Sequence, residues 1–219
     1  AELLSFDTEN IDYSALRTMV GRSVQVKEDI VEQDPKEHGI RKALNLGHTI
    51  GHAFESLALA ENRPVLHGYA VAWGLVCELY LSYLKAGFPK DKMRQTIQFI
   101  KENYGAFAFS CKQYDSLYEL MLHDKKNTAG IINFTLLKEV GDICLNQTAD
   151  KETIFEVFDF YRECMGAQIP YSPKNCIYCC CALSNKASSM RLSCRKREHP
   201  GPHPFLLTFL SQFPTICPS

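Results

Sequence analysis

Five polar residues, Arg41, Asn45, His48, His52 and Glu55, stand in one short stretch, Arg41-Lys-Ala-Leu-Asn45-Leu-Gly-His48-Thr-Ile-Gly-His52-Ala-Phe-Glu55. At about 100° of rotation per residue, one continuous helix would gather them into an arc of roughly 80°. Leu44, Leu46, Ile50, Ala53, Phe54 and Leu57 flank the stripe, so it reads as the floor of a polar cavity rather than as a solvated face. Two histidines four residues apart can share one metal ion, although such pairs also arise by chance and inside hydrogen-bonded cores. A third histidine, His67, precedes Gly68 at the start of a strongly apolar run, where a helix start can bring it beside the facing element. Neutral imidazoles with a carboxylate would leave one coordination position open, at which a hydroxyl can bind and lose its proton more easily. Lys27, Arg41 and Asn45 beside such a centre suit an anionic substrate, because the guanidinium fork matches carboxylate and phosphate. Gly47 and Gly51 leave room for close approach by backbone, substrate or cofactor, or for tight helix packing.

The elements that must position these groups are mainly helices. From Tyr13 to Gln33 the residues Leu16, Met19, Val20, Val24, Ile30 and Val31 recur at helical spacing, and Asp34-Pro35 supplies a stop. Lys27 falls inside that apolar stripe; by periodicity alone its stem is buried and its head reaches water. A second helix is expected from Gly39 to Ala60, and a third, buried one from Gly68 to Ala86, ended by Gly87. Further helices are expected from Lys90 to Tyr104, Tyr114 to His123 and Lys151 to Cys164, the last with Asp150 as its N-cap. Ile131 to Leu137, after the turn signal Asn127 to Gly130, reads as a strand or hairpin arm. The glycines never form the G-x-G-x-x-G pattern that cradles a dinucleotide.

A formal net charge of −1 over 219 residues argues against a nucleic-acid binder. No apolar run approaches the roughly 20 residues needed to cross a bilayer, and nothing at the start resembles a secretory signal. A soluble, cytoplasmic protein with no membrane partner is the expectation, and its opening residues read as cut from a longer chain. The charge is uneven: residues 1–166 hold 18 Lys/Arg against 24 Asp/Glu, net −6, whereas the last 53 hold 6 against 1, net +5. Those 53 also hold six of the ten cysteines and seven of the ten prolines, while Cys77, Cys111, Cys144 and Cys164 are scattered as in a reduced protein. Two units are therefore expected: a helical domain over 1–166, and a Cys/Pro-rich tail over 167–219 that is disordered or read in another frame. Cys176 and Cys179 make a C-x-x-C half-site for zinc, but His199 and His203 sit among prolines and do not complete it.

The ordered set Lys27, Arg41-x-x-x-Asn45-x-Gly-His48-Thr-x-Gly-His52-Ala-x-Glu55, Leu66-His67-Gly68 and Asp124-Lys125-Lys126-Asn127 closely resembles 3-dehydroquinate synthase. That enzyme is a sugar-phosphate cyclase, and the resemblance covers about residues 1 to 165, roughly its C-terminal domain. It implies a mainly α, multi-helical domain with a short β hairpin, without the N-terminal NAD-binding α/β domain. It implies that His48 and His67 are metal ligands and that His52 handles a proton on the substrate side. Lys27, a further catalytic candidate, would hold the substrate together with Arg41 and Asn45, and one lysine of the 125–126 pair, Lys126 being preferred, would meet its phosphate. The activity implied is that of the shikimate pathway to aromatic amino acids. NAD and zinc or cobalt serve the conversion of 3-deoxy-D-arabino-heptulosonate 7-phosphate, a phosphorylated sugar acid, to 3-dehydroquinate and phosphate, a net carbon–oxygen lyase reaction in a homodimer.

Two departures qualify the expectation. The family's third metal ligand is a glutamate in an acidic-x-x-Lys pattern on an earlier helix; Glu2 is not in that context, so this chain alone is expected to lack synthase activity. Tyr69 stands where many members carry an acidic residue, which puts a supporting contact behind the metal ligands in question. The rivals are another sugar-phosphate cyclase, a metal-dependent glycerol or alcohol dehydrogenase, and a non-catalytic helical module whose histidines only satisfy one another. Arg41-x-x-x-Asn45 and the Asp-Lys-Lys-Asn run favour the phosphate-eliminating branch.

Overall fold

The computed structural model describes residues 10–123 and 131–166; Glu2, the run containing Lys126, and the tail 167–219 lie outside the described residues. Among the described residues there are six α-helices and a hairpin: α1 Tyr13–Gln33, α2 His48–Ala60, α3 His67–Ala86, α4 Lys90–Tyr104, α5 Tyr114–Leu122, β1 Phe134–Glu139, β2 Asp142–Gln147 and α6 Lys151–Met165. Two 3-10 turns, Ile40–Asn45 and Cys111–Gln113, precede α2 and α5. The mainly α expectation with one hairpin is met. No helix among the described residues is long and apolar enough to cross a membrane.

Helix α3 is apolar on all sides because it runs through the centre, with α2, α4, α6 and β1 packed around it. At its first turns an aromatic layer fills the space between α2 and α6: the ring of Phe54 lies 5.2–5.3 Å from those of Phe107, Phe109 and Tyr161. The Phe107 amide donates to the buried Tyr161 hydroxyl at 2.8 Å, so this ring is packed and also hydrogen-bonded. Asp150 caps α6 by accepting from Thr153 N at 2.7 Å, and Gly166 closes the helix in the left-handed region at φ 67°. Helix α1 behaves differently. It buries only Met19, Ser23 and Ile30, leaving Val20 and Val24 of its apolar stripe exposed, and Lys27 stands exposed beside them rather than with a buried stem.

The helix expected from Gly39 to Ala60 is broken, which corrects the reading of Arg41, Asn45, His48, His52 and Glu55 as one helix face. Arg41 and Asn45 lie on the 3-10 turn, Leu46 is extended, Gly47 is left-handed at φ 81°, and α2 starts at His48. The cause is the crossing of α2 over α3. A Cβ on Gly74 would lie 2.5 Å from Gly51 N and 2.8 Å from Gly51 Cα, and would also strike the Gly47 carbonyl. Only bare backbone fits on both sides, and the chain must turn sharply at Gly47 to reach that contact. With glycine at the N-cap, no local side chain can cap α2. The fully buried Glu78 of α3 does so: one of its oxygens accepts from Gly47 N at 2.6 Å and the other from Ile50 N at 3.2 Å.

A second polar device shapes the approach to that break. The Asp34 carboxylate accepts from His38 N at 3.0 Å, Gly39 N at 2.7 Å and Arg41 N at 3.1 Å, folding residues 34–41 into a tight turn. The Gly39 amide first, then those of His38 and Arg41, hold the Asp34 carboxyl below the usual carboxylate range. From the other side, Thr135 Oγ1 donates to Lys42 O at 2.8 Å and Thr49 Oγ1 to Asn133 O at 3.1 Å, tying the hairpin to the 3-10 turn and to α2. The hairpin is antiparallel, with Glu139 opposite Asp142 and register shifts on both sides of the Leu136–Leu137 pair. Its second strand escapes a sequence reading because Asp142–Gln147 is partly exposed and mixed in polarity.

Gly74→Ala is expected to cost about 3 kcal/mol or more, the upper end of overpacking penalties. Urea denaturation measures it, and an unchanged midpoint would refute the backbone-contact account. Asp34→Ala is expected to speed hydrogen exchange at the Gly39 and Arg41 amides by about tenfold or more. Because Asp34 is lowered in the folded state, the protection should be complete above the ordinary carboxylate pKa and lost as pH falls through the lowered one.

Candidate functional site

The turn at Gly47 delivers His48 to the first position of α2, places His52 one turn later, and brings both opposite His67 at the first position of α3. The three imidazoles form a nearly equilateral triangle, with ring centroids 5.5 Å apart for His48–His52, 5.4 Å for His48–His67 and 5.5 Å for His52–His67. Zinc–nitrogen bonds near 2.1 Å at tetrahedral angles would put imidazole centroids roughly 5 Å apart, so the spacing fits a metal-binding cluster. Convergence of the ligand atoms is another matter. Among the described residues no group of three or more His, Cys, Asp or Glu side chains is arranged to hold an ion as it stands.

Oxygen acceptors stand behind the rings of His48 and His67. His48 Nδ1 lies 3.1 Å from the Leu46 carbonyl, and His67 Nδ1 lies 3.0 Å from Glu55 Oε2. Carbonyl and carboxylate oxygens can only accept, so Nδ1 carries the proton in both rings, and in the neutral imidazole Nε2 keeps its lone pair. Metal-ligating histidines are held in this way, with the far nitrogen donating to a carbonyl or a carboxylate. The donor chemistry of His48 and His67 therefore fits a divalent metal. Glu55 lies one turn beyond His52 and supplies the acidic contact to His67. Tyr69 instead packs edge-on against Trp73 and Tyr104 at centroid distances of 5.9 and 5.3 Å.

The other expected site residues are gathered less tightly. Arg41 Nη1 donates to Pro35 O at 2.8 Å, and Asn45 Nδ2 donates to Glu37 Oε1 at 2.6 Å, so both brace the 34–39 turn. Asn45 also lines a polar cavity of about 510 Å³ with Glu37, Lys42, Thr49, Asn133 and Asn146, under the hairpin. Lys27 stands exposed on α1, the helix that packs against the 3-10 turn. Lys126 lies outside the described residues. Glu78, Glu37 and Asp34 are the functional neighbours that sequence reading missed. For Glu78 the only signal is a carboxylate inside a run of apolar residues, a pattern that calls for a buried partner.

Comparison with known proteins bears on this geometry. The family model described as 3-dehydroquinate synthase C-terminal matches residues 2–127. A 3-dehydroquinate synthase of Parabacteroides distasonis is 61% identical over 166 residues, which is 76% of this chain and 47% of that protein. One from Leptospira interrogans is 39% identical over 150 residues, covering 68% of this chain and 41% of the relative. One from Oceanobacillus iheyensis is 42% identical over 141 residues, covering 64% and 38%. The chain thus spans less than half the length of these relatives. The chain therefore belongs to the 3-dehydroquinate synthase family, which it matches through the C-terminal domain of that enzyme.

Proposed function

We propose that this chain is the metal- and substrate-binding half of a 3-dehydroquinate synthase, which turns 3-deoxy-D-arabino-heptulosonate 7-phosphate into 3-dehydroquinate and phosphate with NAD. The observation that carries the reading is the histidine triangle with two of its Nδ1 atoms bonded to oxygen acceptors. His48 and His67 would hold a zinc or cobalt ion, whose chemistry is to acidify a ring hydroxyl of the substrate and so make hydride transfer to NAD possible. Two histidines are half a ligand set, which accords with a third ligand, a glutamate, contributed from outside residues 10–166. NAD would likewise be held elsewhere, and no residue here is assigned to it.

The chain's own residues then have separable tasks. His52 shares the triangle and faces the substrate as the group that takes and returns a proton, the role the family resemblance implies for it. Lys27 and Arg41 supply positive charge, and Asn45 an amide, for the substrate's carboxylate and hydroxyls, while Lys126 meets its phosphate. For Arg41 and Asn45 this requires exchanging their bonds to Pro35 and Glu37 for bonds to substrate. The exposed apolar side chains of α1, Tyr13, Val20 and Val24, suit contact with the remainder of a full-length synthase. The residues after Gly166 are proposed to form no part of the functional domain. A homodimer and a cytoplasmic setting complete the reading.

Titration of the 219-residue chain with cobalt(II), followed by its visible absorption, is expected to show one specific site that His48→Gln abolishes. A helical module without catalytic purpose would take up no cobalt and would tolerate His48→Gln at small cost. The 219 residues by themselves, supplied with NAD, metal and substrate, are expected to release no phosphate over multiple turnovers. Sustained release would overturn that part of the reading.

A further inference from the structure

We infer that Glu78 is the positioning residue of the histidine cluster: it sets the backbone at His48 and, through the backbone, the tautomer of the His48 ring. The inference rests on the reading of His48 as a metal ligand but concerns a group that touches neither ion nor substrate. Glu78 is fully buried, and taking a carboxylate out of water is costly unless its oxygens are bonded. Both are: they accept from Gly47 N and Ile50 N, on either side of His48, where the positive end of the α2 dipole favours a negative charge.

This cap could not come from nearer in sequence. Most helices are capped by a Ser, Thr, Asp or Asn at the N-cap itself. At Gly47 a Cβ would lie 2.9 Å from Val71 O and 3.2 Å from Leu75 N, at a φ of 81° that side chains rarely adopt. The amides at the start of α2 are buried against α3, and a side chain from α3 meets them across 31 residues of sequence. The bond to Gly47 N fixes the peptide that follows Leu46, and the bond to Ile50 N fixes the turn that follows His48. Between those two anchors, the Leu46 carbonyl is held 3.1 Å from His48 Nδ1. Glu78 is itself held from behind: Ser82 Oγ donates to Glu78 O at 2.6 Å and accepts from Leu137 N at 3.0 Å, so the support runs from the hairpin through α3 to His48.

Glu78→Gln tests this in the 219-residue chain, because it keeps the shape and replaces one acceptor oxygen by an amide NH2, a donor that faces a backbone N–H. Two readouts are taken at a pH where the imidazoles are neutral. One is the His48 tautomer in metal-free protein, from long-range proton–nitrogen NMR correlations; the other is the dissociation constant for cobalt(II). The wild type should show a single Nδ1–H tautomer. Glu78→Gln should show a mixture and bind cobalt about tenfold more weakly or worse, the scale of losses behind metal ligands, with unchanged helical circular dichroism. A variant that is less stable to urea but keeps both the tautomer and the cobalt affinity would overturn the inference and leave Glu78 a plain helix cap. Should Glu78→Gln fail to fold, Glu78→Asp keeps both acceptors but withdraws them, and must shift both readouts in the same direction; wild-type values would overturn the inference. A tautomer change in a protein whose wild type takes up no cobalt would support the positioning role while sinking the metal reading.

Discussion

Helices α2 and α3 cross at Gly47, Gly51 and Gly74 with backbone against backbone, and the rest of the site takes its shape from that contact. Because Gly74 carries no Cβ, the two helices come near enough for His48 and His52 on one to face His67 on the other. Because Gly47 must be left-handed to enter the crossing, α2 cannot begin earlier, and Arg41 and Asn45 are left on a separate 3-10 turn. The same glycine removes the local cap, so a buried carboxylate from α3 replaces it. One steric constraint thus determines the spacing of the histidines, the break before them and the charge beneath them.

Around this centre the protein spends polar groups on backbone geometry rather than on surface ion pairs. Asp34 holds three amides of the turn that carries Arg41, and two threonine hydroxyls tie the hairpin to the 3-10 turn and α2. Exposed pairs such as Lys92–Glu139 and Lys151–Asp115 join elements far from the histidines, where they are worth little in water. On the opposite side, the aromatic layer of Phe54, Phe107, Phe109, Phe158 and Tyr161 gives α2 a rigid seat against α6. Apolar packing holds one side of α2 while hydrogen bonds define its first turn, and the histidines project between the two.

Family membership and local geometry bear on different questions. The match to 3-dehydroquinate synthases is strong in identity but spans less than half of each relative, so it speaks to a domain. Within that domain, oxygen acceptors stand behind the rings of His48 and His67, the Leu46 carbonyl in one case and the Glu55 carboxylate in the other.

The amino-acid sequence by itself determined the helices with strong periodicity, α1, α3, α4 and α6, to within a residue or two, because local pattern and caps act over a few residues. It also singled out the histidines, since the H-x-x-x-H spacing survives whether or not the helix before it is broken. What it could not determine was the break at Gly47, because periodicity is blind to a left-handed residue that a neighbouring helix forces. Nor could it determine the second strand, whose mixed polarity hides a pairing made with β1 alone. The single helix face of five polar residues was a product of that blindness. Only the tertiary structure decided that Glu78 caps α2, that Glu55 backs His67 and that Asp34 gathers the 34–41 turn. These are contacts between side chains and backbone at particular distances in space, and most of them join residues too far apart in sequence for any local pattern to register.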